Sequence, residues 1–463
     1  MKKLFTLTIL IVISISISAQ TQVSGNQSGT WTLSASPYLV VGEIVVPSGE
    51  TLNIEAAVVV NFQGHYKFTV NGNLQALGTE TDSIFFTTDD QLTAWGGIRF
   101  DGSQGISNLS YCRIEFGKTA GEYPDIHGGG IALLGSDAII SNCVFADNDA
   151  SGEDNGMGGA IYANGTGSDL GPLTQIIDCK FIRNHAYGEG GAIKFTGDMN
   201  TEIIGCEFIE NDCNYGGGAI SFYSVIDTKV IYCLFVNNYT MYSNGGAIHS
   251  LGFGNSMFFK NCTITENHAV TGDGGGVYLA YAVADFVNTI VYDNPGMYSD
   301  DIYVGMGSSA VINYSNLIMP DGASGSNNIN ENPEFVDPED LNYQLSESSP
   351  CIDAGIDIGY EFYGEAPDMG CFEYGLPTSL SDLKLLDVII YPNPAKDIVN
   401  VKSVENVKEL YITDLSGKKV LSVQPFNNVQ VSIDVSDFND GIYIVNVLFN
   451  SHEIKTYKLL IQN

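Results

Sequence analysis

The chain has 463 residues and carries 54 Asp and Glu against 19 Lys and Arg, a formal net charge of -35. So acidic a surface repels phosphate backbones and anionic lipid headgroups, which argues against nucleic acid as a partner. Hydrophobic residues make up 44% of the chain and charged residues 16%, which argues against intrinsic disorder. The 52 glycines, 25 tyrosines and 23 phenylalanines favour strands and tight turns over helices.

Residues 1–19 have the pattern of a secretory signal peptide. Lys2 and Lys3 precede an apolar run from Leu4 to Ile17, and cleavage is expected near Ala19. The alternative, a membrane anchor, needs about 20 apolar residues, and this run is shorter. No later segment is apolar over such a length. We therefore expect an exported protein, secreted or held at the outer-membrane surface, with no transmembrane segment in the mature chain.

Between about residues 105 and 295 the sequence repeats itself. One half of the repeat is Cys-x-Phe-x-x-Asn, and the other half is Gly-Gly-Ala-Ile. Each repeat holds three short apolar runs, separated by Gly, Asn and Asp turns and without helical periodicity. Three strands per repeat predict an all-β fold, a right-handed parallel β-helix over residues 20–331. Residues 21–37 are expected to cap its first coil.

The repeated side chains are predicted to stack along the axis of the β-helix. An interior position meets the same position about 4.8 Å away on the next coil, so one residue type recurs there. Asn tolerates the left-handed backbone of a sharp turn, and stacked amides hydrogen-bond along the axis. The glycine pairs are expected to supply the next bend and close contact between coils. The predicted structural residues are Asn148, Asn184, Asn211, Asn238, Asn267 and Asn294 in the turn, with Cys143, Cys179, Cys206, Cys233 and Cys262 in the core.

The five repeat cysteines are expected to be buried free thiols. Adjacent coils hold their Cβ atoms about 4.8 Å apart, wider than the roughly 3.8 Å of a disulfide. Thiolates spread along an axis also cannot close a tetrahedron around zinc. Cys351 and Cys371 lie outside the repeat and are the candidate pair for a disulfide.

The repeat pattern ends before residues 332–376, which carry different motifs. This segment contains Asn332-Pro-Glu-Phe-Val-Asp337, Ser349-Pro-Cys-Ile-Asp-Ala-Gly355 and Pro367-Asp-Met-Gly-Cys-Phe-Glu-Tyr374. It resembles the choice-of-anchor Q region that closes many secreted bacterial β-helix proteins. The resemblance implies a C-terminal coil or cap over the last coil, followed by a linker at 377–386.

Residues 387–463 alternate strand-like runs with Ser-Gly and Asp-Gly turns, which predicts a small β-sandwich. The motifs are Tyr391-Pro-Asn-Pro-Ala395, Ile412-Thr-Asp-Leu-Ser-Gly-Lys-Lys-Val420, Asp440-Gly-Ile-Tyr-Ile-Val445 and Lys458-Leu-Leu-Ile461. They are similar to the type A C-terminal sorting domain of the type IX secretion system of Bacteroidetes. The resemblance implies passage through the type IX machinery, removal of this domain, and release or attachment to surface lipopolysaccharide.

The outward residues of one sheet should form columns along the solenoid. Tyrosine beside Lys and His suits stacking on sugar rings and hydrogen bonding to them, so we expect binding or adhesion, with a glycan as partner. An ordinary polar solenoid surface is the competing interpretation. The candidate ligand-binding residues are Tyr162, Tyr187, Lys194, Tyr215, Ser221, Tyr223, His249 and Tyr278.

The coil repeats also resemble those of chlamydial polymorphic membrane proteins, which are β-helix adhesins. The shared pattern pairs Gly-Gly-Ala-Ile with Phe-x-x-Asn. It occurs at Phe145, Phe181, Phe208 and Phe235.

The alternative function is a polysaccharide-degrading enzyme, a lyase or glycoside hydrolase, with Lys194, Ser221 and His249 as candidate catalytic residues. A lyase needs a base and cations, often calcium, to neutralise the uronate. The acidic loop with Asp147, Asp149 and Asp154 is a candidate calcium site, although no fixed ligand spacing identifies it; no other cofactor is predicted. An enzyme should show the three catalytic candidates edging a groove, whereas a binding protein should show a shallow strip rich in tyrosine.

Overall fold

Three parallel ladders of short strands lie between residues 21 and 324, and most coils contribute to all three. Sheet A holds the Gly-Gly-Ala-Ile segments, sheet B the strands that follow them, and sheet C the Cys-x-Phe segments. The predicted strand period is therefore confirmed, and the fold is an all-β parallel β-helix. No α-helix occurs within the part of the chain that the structure describes.

The structure is a computed structural model. It describes residues 20–461 apart from 104, 153–154, 166–172, 198, 300, 361, 376–387, 392–397, 404–406, 415–417, 424–429, 437, 440 and 450–453. The predicted signal peptide at 1–19, the predicted linker at 377–386 and Asp154 lie outside the described residues. The chain divides into two compact units, up to residue 380 and from residue 381 onward.

The strands of the β-helix are short, and most lie in one sheet only. Sheet A contains Phe68–Val70, Ile98–Asp101, Ile131–Leu134, Ile161–Asn164, Ile193–Thr196, Ile220–Tyr223 and Ile302–Val304. Sheet B contains Gly29–Trp31, Thr51–Ile54, Asn73–Leu77, Ser107–Ser110, Ala138–Ser141, Leu173–Ile177, Asn200–Ile204, Ile226–Ile231, Ser309–Asn313 and Ala323–Ser324. Sheet C contains Val59–Phe62, Ile84–Thr87, Cys112–Glu115, Val144–Ala146, Lys180–Ile182, Glu207–Ile209, Leu234–Val236, Thr263–Thr265 and Ile290–Tyr292.

Four longer strands pass between the sheets. Thr21–Asn26 and Tyr38–Val46 run from sheet C into sheet A, and Ile248–Lys260 and Val277–Val287 run from sheet A into sheet B. A fourth ladder, which the sequence did not predict, consists of two-residue strands and is called sheet D. Its members are Asp149–Ala150, His185–Ala186, Asp212–Cys213, Tyr239–Thr240 and His268–Ala269.

The core consists of columns of identical side chains, as predicted. The rings of Phe145, Phe181, Phe208 and Phe235 stack with centroid spacings of 4.9, 4.8 and 4.7 Å. The five repeat cysteines are fully buried free thiols, and Cys112 extends their column by one coil. Each repeat thiol donates to a backbone carbonyl of the preceding coil, for example Cys206 Sγ to Ile176 O at 3.5 Å. These thiols therefore act as small core side chains.

The asparagine column forms the predicted amide ladder. Asn184 Nδ2 donates to Asn211 Oδ1 at 2.9 Å, and the same bond joins every pair from Asn148 to Asn294. At the last coil Asn294 Nδ2 donates to Asp301 Oδ1 at 2.9 Å, so a buried carboxylate ends the ladder.

The predicted left-handed backbone at these asparagines is wrong by one residue. The positive φ belongs to the residue before each Asn: Asp147, Arg183, Glu210, Asn237, Glu266 and Asp293, with φ between 51° and 57°. The chain bends at that position, so that the next residue can direct its amide along the axis. Asn is therefore present for its side-chain hydrogen bonds.

The glycine pairs act as predicted. The first glycine has a left-handed backbone, with φ of 70° at Gly190. A Cβ on the second, Gly191, would lie 2.1 Å from the carbonyl oxygen of Gly218 on the next coil, a distance that no side chain tolerates. The pair thus combines a bend with direct backbone contact between coils.

Trp31 closes the first coil. Its ring stacks on Tyr38 with a centroid distance of 4.6 Å and packs against Phe68, which places a large apolar surface over the start of the core. The short 3₁₀ helix Leu33–Ala35 follows it. Thr21–Asn26 and Gly29–Trp31 pair in parallel with the next coil, so residues 21–37 form the first coil, and their role as a cap stays a prediction.

Residues 332–375 contact the last coil and also cover the outer face of sheet C, and their role as a cap stays a prediction. In the last coil, Asn316 Nδ2 donates to Cys351 Sγ at 3.1 Å. On sheet C, Tyr343 Oη donates to Glu266 at 2.8 Å, Cys371 N donates to Thr263 at 3.1 Å, and Tyr360 contacts the Tyr232 ring. The physical reason is a change in the outward column of sheet C. It carries the Lys180–Glu207 ion pair in earlier coils but is buried and mostly apolar in later ones, at Leu234, Thr263 and Ile290. Within the segment, strands Phe335–Asp337 and Asn342–Leu345 pair antiparallel around the 3₁₀ helix Pro338–Asp340.

The predicted Cys351–Cys371 disulfide is also wrong, since both thiols are free and buried. Cys351 accepts a hydrogen bond from Asn316 Nδ2 at 3.1 Å, in a small cluster with Leu345 and Met369. Cys371 instead packs against Thr263. The two cysteines therefore serve different contacts of the same segment.

The C-terminal unit has two antiparallel sheets. Val388–Tyr391, Ile398–Ser403 and Gln430–Asp434 form one sheet, and Val407–Asp414, Lys419–Val423, Gly441–Phe449 and Ile454–Ile461 form the other. A single buried cluster draws Val399 and Ile433 from the first sheet and Leu410 and Val445 from the second. This packing is the predicted β-sandwich.

Replacing Asn211 by Ala should destabilise the β-helix by about 3 kcal/mol or more, because several buried donors and acceptors lose their partners. Urea denaturation followed by circular dichroism measures the effect. Asn26→Ala, at an exposed asparagine, is the control. An unchanged midpoint for Asn211→Ala would contradict the ladder's structural role.

Titration of the denatured, unreduced protein should find nine free thiols, because all nine cysteines are free in the folded chain. The purified protein is unfolded in guanidinium chloride with a thiol reagent already present, which prevents exchange. A count of seven would restore the Cys351–Cys371 disulfide.

Candidate functional site

The predicted outward column of sheet A is present in the structure. Strand pairing places Tyr162, Lys194, Ser221, His249 and Tyr278 directly beside one another on successive coils. The first four side chains are buried, with at most 5% of each residue exposed. The column is therefore the covered floor of sheet A, and the expectation that it forms an open contact surface was wrong.

Glu189, the residue before the Gly190–Gly191 pair, covers part of this column. Glu189, next to Gly190, accepts hydrogen bonds from Lys194 Nζ and from Ser221 Oγ at 2.8 Å, while Lys194 also donates to Ser221 at 3.0 Å. Burial pushes the pKa of Glu189 upward, but the charge of Lys194 and the hydrogen bonds from Lys194 and Ser221 more than offset it. The pKa of Glu189 therefore lies below its usual value. Lys194 is thus held in a compact ion pair.

His249 is also enclosed. Its ring stacks on Tyr278 with a centroid distance of 5.3 Å, and its Nδ1 atom has no hydrogen-bond partner within the described part of the chain. A Cβ on Gly216 would lie 3.0 Å from the His249 ring, so only glycine fits there. Burial lowers the pKa of His249 to about 4, which leaves the imidazole neutral near neutral pH.

Sequence reasoning missed two basic members of the cluster, Arg99 and His127. Arg99 precedes the glycine-rich repeats but occupies the same column, and it donates to the carbonyl of Gly128. His127 stacks on Tyr162 at 4.4 Å and accepts a hydrogen bond from Met157 N at 3.1 Å. Burial lowers the pKa of His127 to about 4. The sequence did contain a signal for His127. Like Glu189, it stands directly before a glycine pair.

An exposed row of tyrosines lies beside the covered column. Tyr187, Tyr215 and Tyr242, here called the tyrosine strip, come from three successive coils, in the loop between sheet D and the glycine pairs. Their ring centroids are 6.0 and 6.2 Å apart, and Tyr215 and Tyr242 are 45% and 62% exposed. The structure thus brings Tyr187 and Tyr215 together, as predicted candidates, and adds Tyr242.

Tyr223 lies at the opposite end of its sheet A strand. It is 47% exposed, and the Lys194 ammonium lies 5.6 Å from its ring centroid. Of the predicted ligand-binding residues, Tyr215 and Tyr223 are thus exposed to solvent, and Tyr187 and Tyr278 are partly exposed.

The proposed calcium ligands point to different partners. Asp147 pairs with Arg183 at 2.9 Å, and Asp149 pairs with Lys118 at 2.8 Å. Within the described residues, no group of three or more His, Cys, Asp or Glu side chains is arranged to hold a metal ion. The calcium site stays a prediction, because Asp154 is outside the described part of the chain.

Comparison with known families agrees with the fold. Residues 96–294 match the family model described as right handed beta helix region. The stacked coils and this match define the class of the protein, a right-handed parallel β-helix.

A second family match indicates where the protein is exported. Residues 389–462 match the family model described as secretion system C-terminal sorting domain, and they coincide with the β-sandwich. The protein is thus a right-handed β-helix protein exported by type IX secretion to the cell surface or the extracellular space. Comparison with curated proteins gave no match. Among the described residues there is no apolar helix of membrane-spanning length.

Replacing Glu189 by Gln should destabilise the protein by about 3 kcal/mol, because Lys194 would keep its charge in a buried site without a carboxylate. The thermal unfolding midpoint should fall, and Lys194→Met in the same background should recover part of the loss. Glu80→Gln, at an exposed carboxylate, is the control. If Glu189→Gln were as stable as wild type, Lys194 would have to be solvated.

Proposed function

We propose that this exported β-helix protein is a binding protein and that its ligand is a glycan, held on the tyrosine strip. The observation that carries the proposal is a row of neighbouring tyrosine rings on three successive coils, partly exposed at Tyr187 and exposed at Tyr215 and Tyr242. A tyrosine offers an apolar face to the C–H groups of a sugar and a hydroxyl to its polar edge.

The scaffold supports this function in a second way. Each loop of the strip is tied to the preceding coil by a backbone hydrogen bond, from Tyr187 N to Ala150 O, from Tyr215 N to Gly188 O and from Tyr242 N to Asn214 O. A prearranged row loses little conformational freedom when it binds, which favours affinity at a shallow surface.

The enzymatic alternative receives less support. Its three candidates lie in the covered column, where Lys194 is paired with Glu189 and His249 is enclosed. A general base must reach the proton that it removes, and these groups are sealed from a polymeric substrate.

Replacing Tyr215 and Tyr242 by Ala together should weaken glycan binding about tenfold, because each ring that stacks on a sugar is worth about 0.5–1.5 kcal/mol. The full chain is tested on a panel of soluble glycans by retention and by isothermal titration, with circular dichroism as the check of folding. Tyr363→Ala, at a tyrosine that is 61% exposed elsewhere, is the matched control.

Equal binding by the double variant would reject the tyrosine strip. New reducing or unsaturated ends in the panel would reject a pure binding role. If Lys194→Ala and His249→Ala retained that cleavage, the catalytic candidates would be rejected as well.

A further inference from the structure

An uncharged apolar ridge runs along the corner between sheets A and B. It is formed by Phe253, Tyr281 and Met306, which lie on three successive coils. Phe253 is 80% exposed and Met306 is 78% exposed. The ring centroids of Phe253 and Tyr281 are 4.4 Å apart, and Tyr281 Oη lies 3.8 Å from Met306 Sδ. Contiguous exposed apolar side chains of this kind mark interaction sites.

Two of these side chains, Phe253 and Met306, have glycine on both sides. Phe253 stands between Gly252 and Gly254, and Met306 stands between Gly305 and Gly307. Gly252 cannot be replaced without strain, because its φ is 135° and a Cβ there would lie 2.7 Å from Ser224 N. With glycine on both sides, no adjacent side chain shields the ring or the thioether. The corner therefore projects one large apolar group per coil.

The charge pattern excludes several partners. The segments 251–255, 279–283 and 304–308 contain no charged residue, although the chain carries a net charge of -35. A cationic partner would find no carboxylate on this ridge, and an anionic partner would be repelled by the surrounding chain. A second copy of the chain meets the same repulsion. These charges therefore favour an uncharged partner, which meets no electrostatic repulsion at the ridge.

We propose that the ridge is a stacking platform for an uncharged polysaccharide. Pyranose rings present apolar C–H faces, and a linear polymer repeats them at roughly the length of one sugar. The β-helix offers one apolar contact per coil, at a rise of about 4.8 Å, so a chain lying along the axis meets successive contacts. Tyr223, which pairs with Leu251 on the next coil, adds a further exposed ring near this corner. The inference rests on the glycan-binding function proposed above, and it adds a second surface and a ligand class.

Sedimentation with insoluble polysaccharides tests the ridge. The full chain is mixed with cellulose, chitin and a calcium polyuronate gel, and the bound fraction is measured by difference. Wild type should bind at least one neutral polymer and leave the polyuronate unbound. Phe253→Ser with Met306→Ser should weaken that binding at least tenfold. Tyr298→Ser, at an aromatic residue that is 81% exposed, should bind like wild type.

The tyrosine-strip double variant is run beside the ridge variant, so that the two surfaces are separated. If wild type bound soluble glycans but neither neutral polymer, the ridge inference would fail while the proposed function stood. Unchanged sedimentation of a folded ridge variant would also overturn it. Light scattering then measures the oligomeric state of wild type and of the ridge variant. A wild-type dimer that the ridge variant abolished would show that the ridge binds a second copy of the chain, and the polysaccharide proposal would be rejected.

Discussion

Direct stacking of each coil on the next is the constraint on which the rest of this molecule depends. The backbone contact at the glycine pairs, where a Cβ on Gly191 would collide with Gly218, fixes the distance between coils. At that distance identical side chains meet, so Phe181 and Phe208 stack and Asn184 bonds to Asn211. The same spacing arranges the outer surface, because the rows of exposed rings inherit the register of the core. Core composition and surface pattern therefore have one physical origin.

The tyrosine strip and the apolar ridge lie at the two ends of sheet A, and the covered column lies between them. Lys194, Ser221 and Glu189 satisfy one another inside that column, which makes it part of the folded body. The residues left to meet a ligand are those that the loops and corners expose, Tyr215 and Phe253 among them. On such a scaffold the ligand-binding residues lie in the turns, where residues can vary without disturbing the stacked strands.

Much of this architecture could be predicted from the sequence, since a fixed repeat determines register. The columns at Cys206 and at Lys194 followed from counting alone. The burial of Lys194 and His249 could not be predicted, because it depends on loops that fold over the sheet. The disulfide prediction failed for a related reason, as the path of residues 332–375 along sheet C depends on contacts between distant parts of the chain. Nor could composition show whether Arg183 or Asn184 takes the left-handed backbone, since either residue tolerates the bend.

The end of the amide ladder at Asp301 has a consequence for how the protein can grow. Each asparagine from Asn148 to Asn294 donates a hydrogen bond from Nδ2 to the next member of the ladder, and each from Asn184 onward accepts one at Oδ1 from the member before, so the ladder has a direction. Asp301 accepts from Asn294 but has no side-chain amide to continue the series, which therefore ends there. Duplicating an internal coil would preserve this polarity, whereas appending coils after Asp301 would leave the first new amide without a donor. The asparagine ladder thus ends at a single acid, although strands of sheets A and B continue to residue 324, and lengthening the ladder at that end would first require exchanging that acid for an amide.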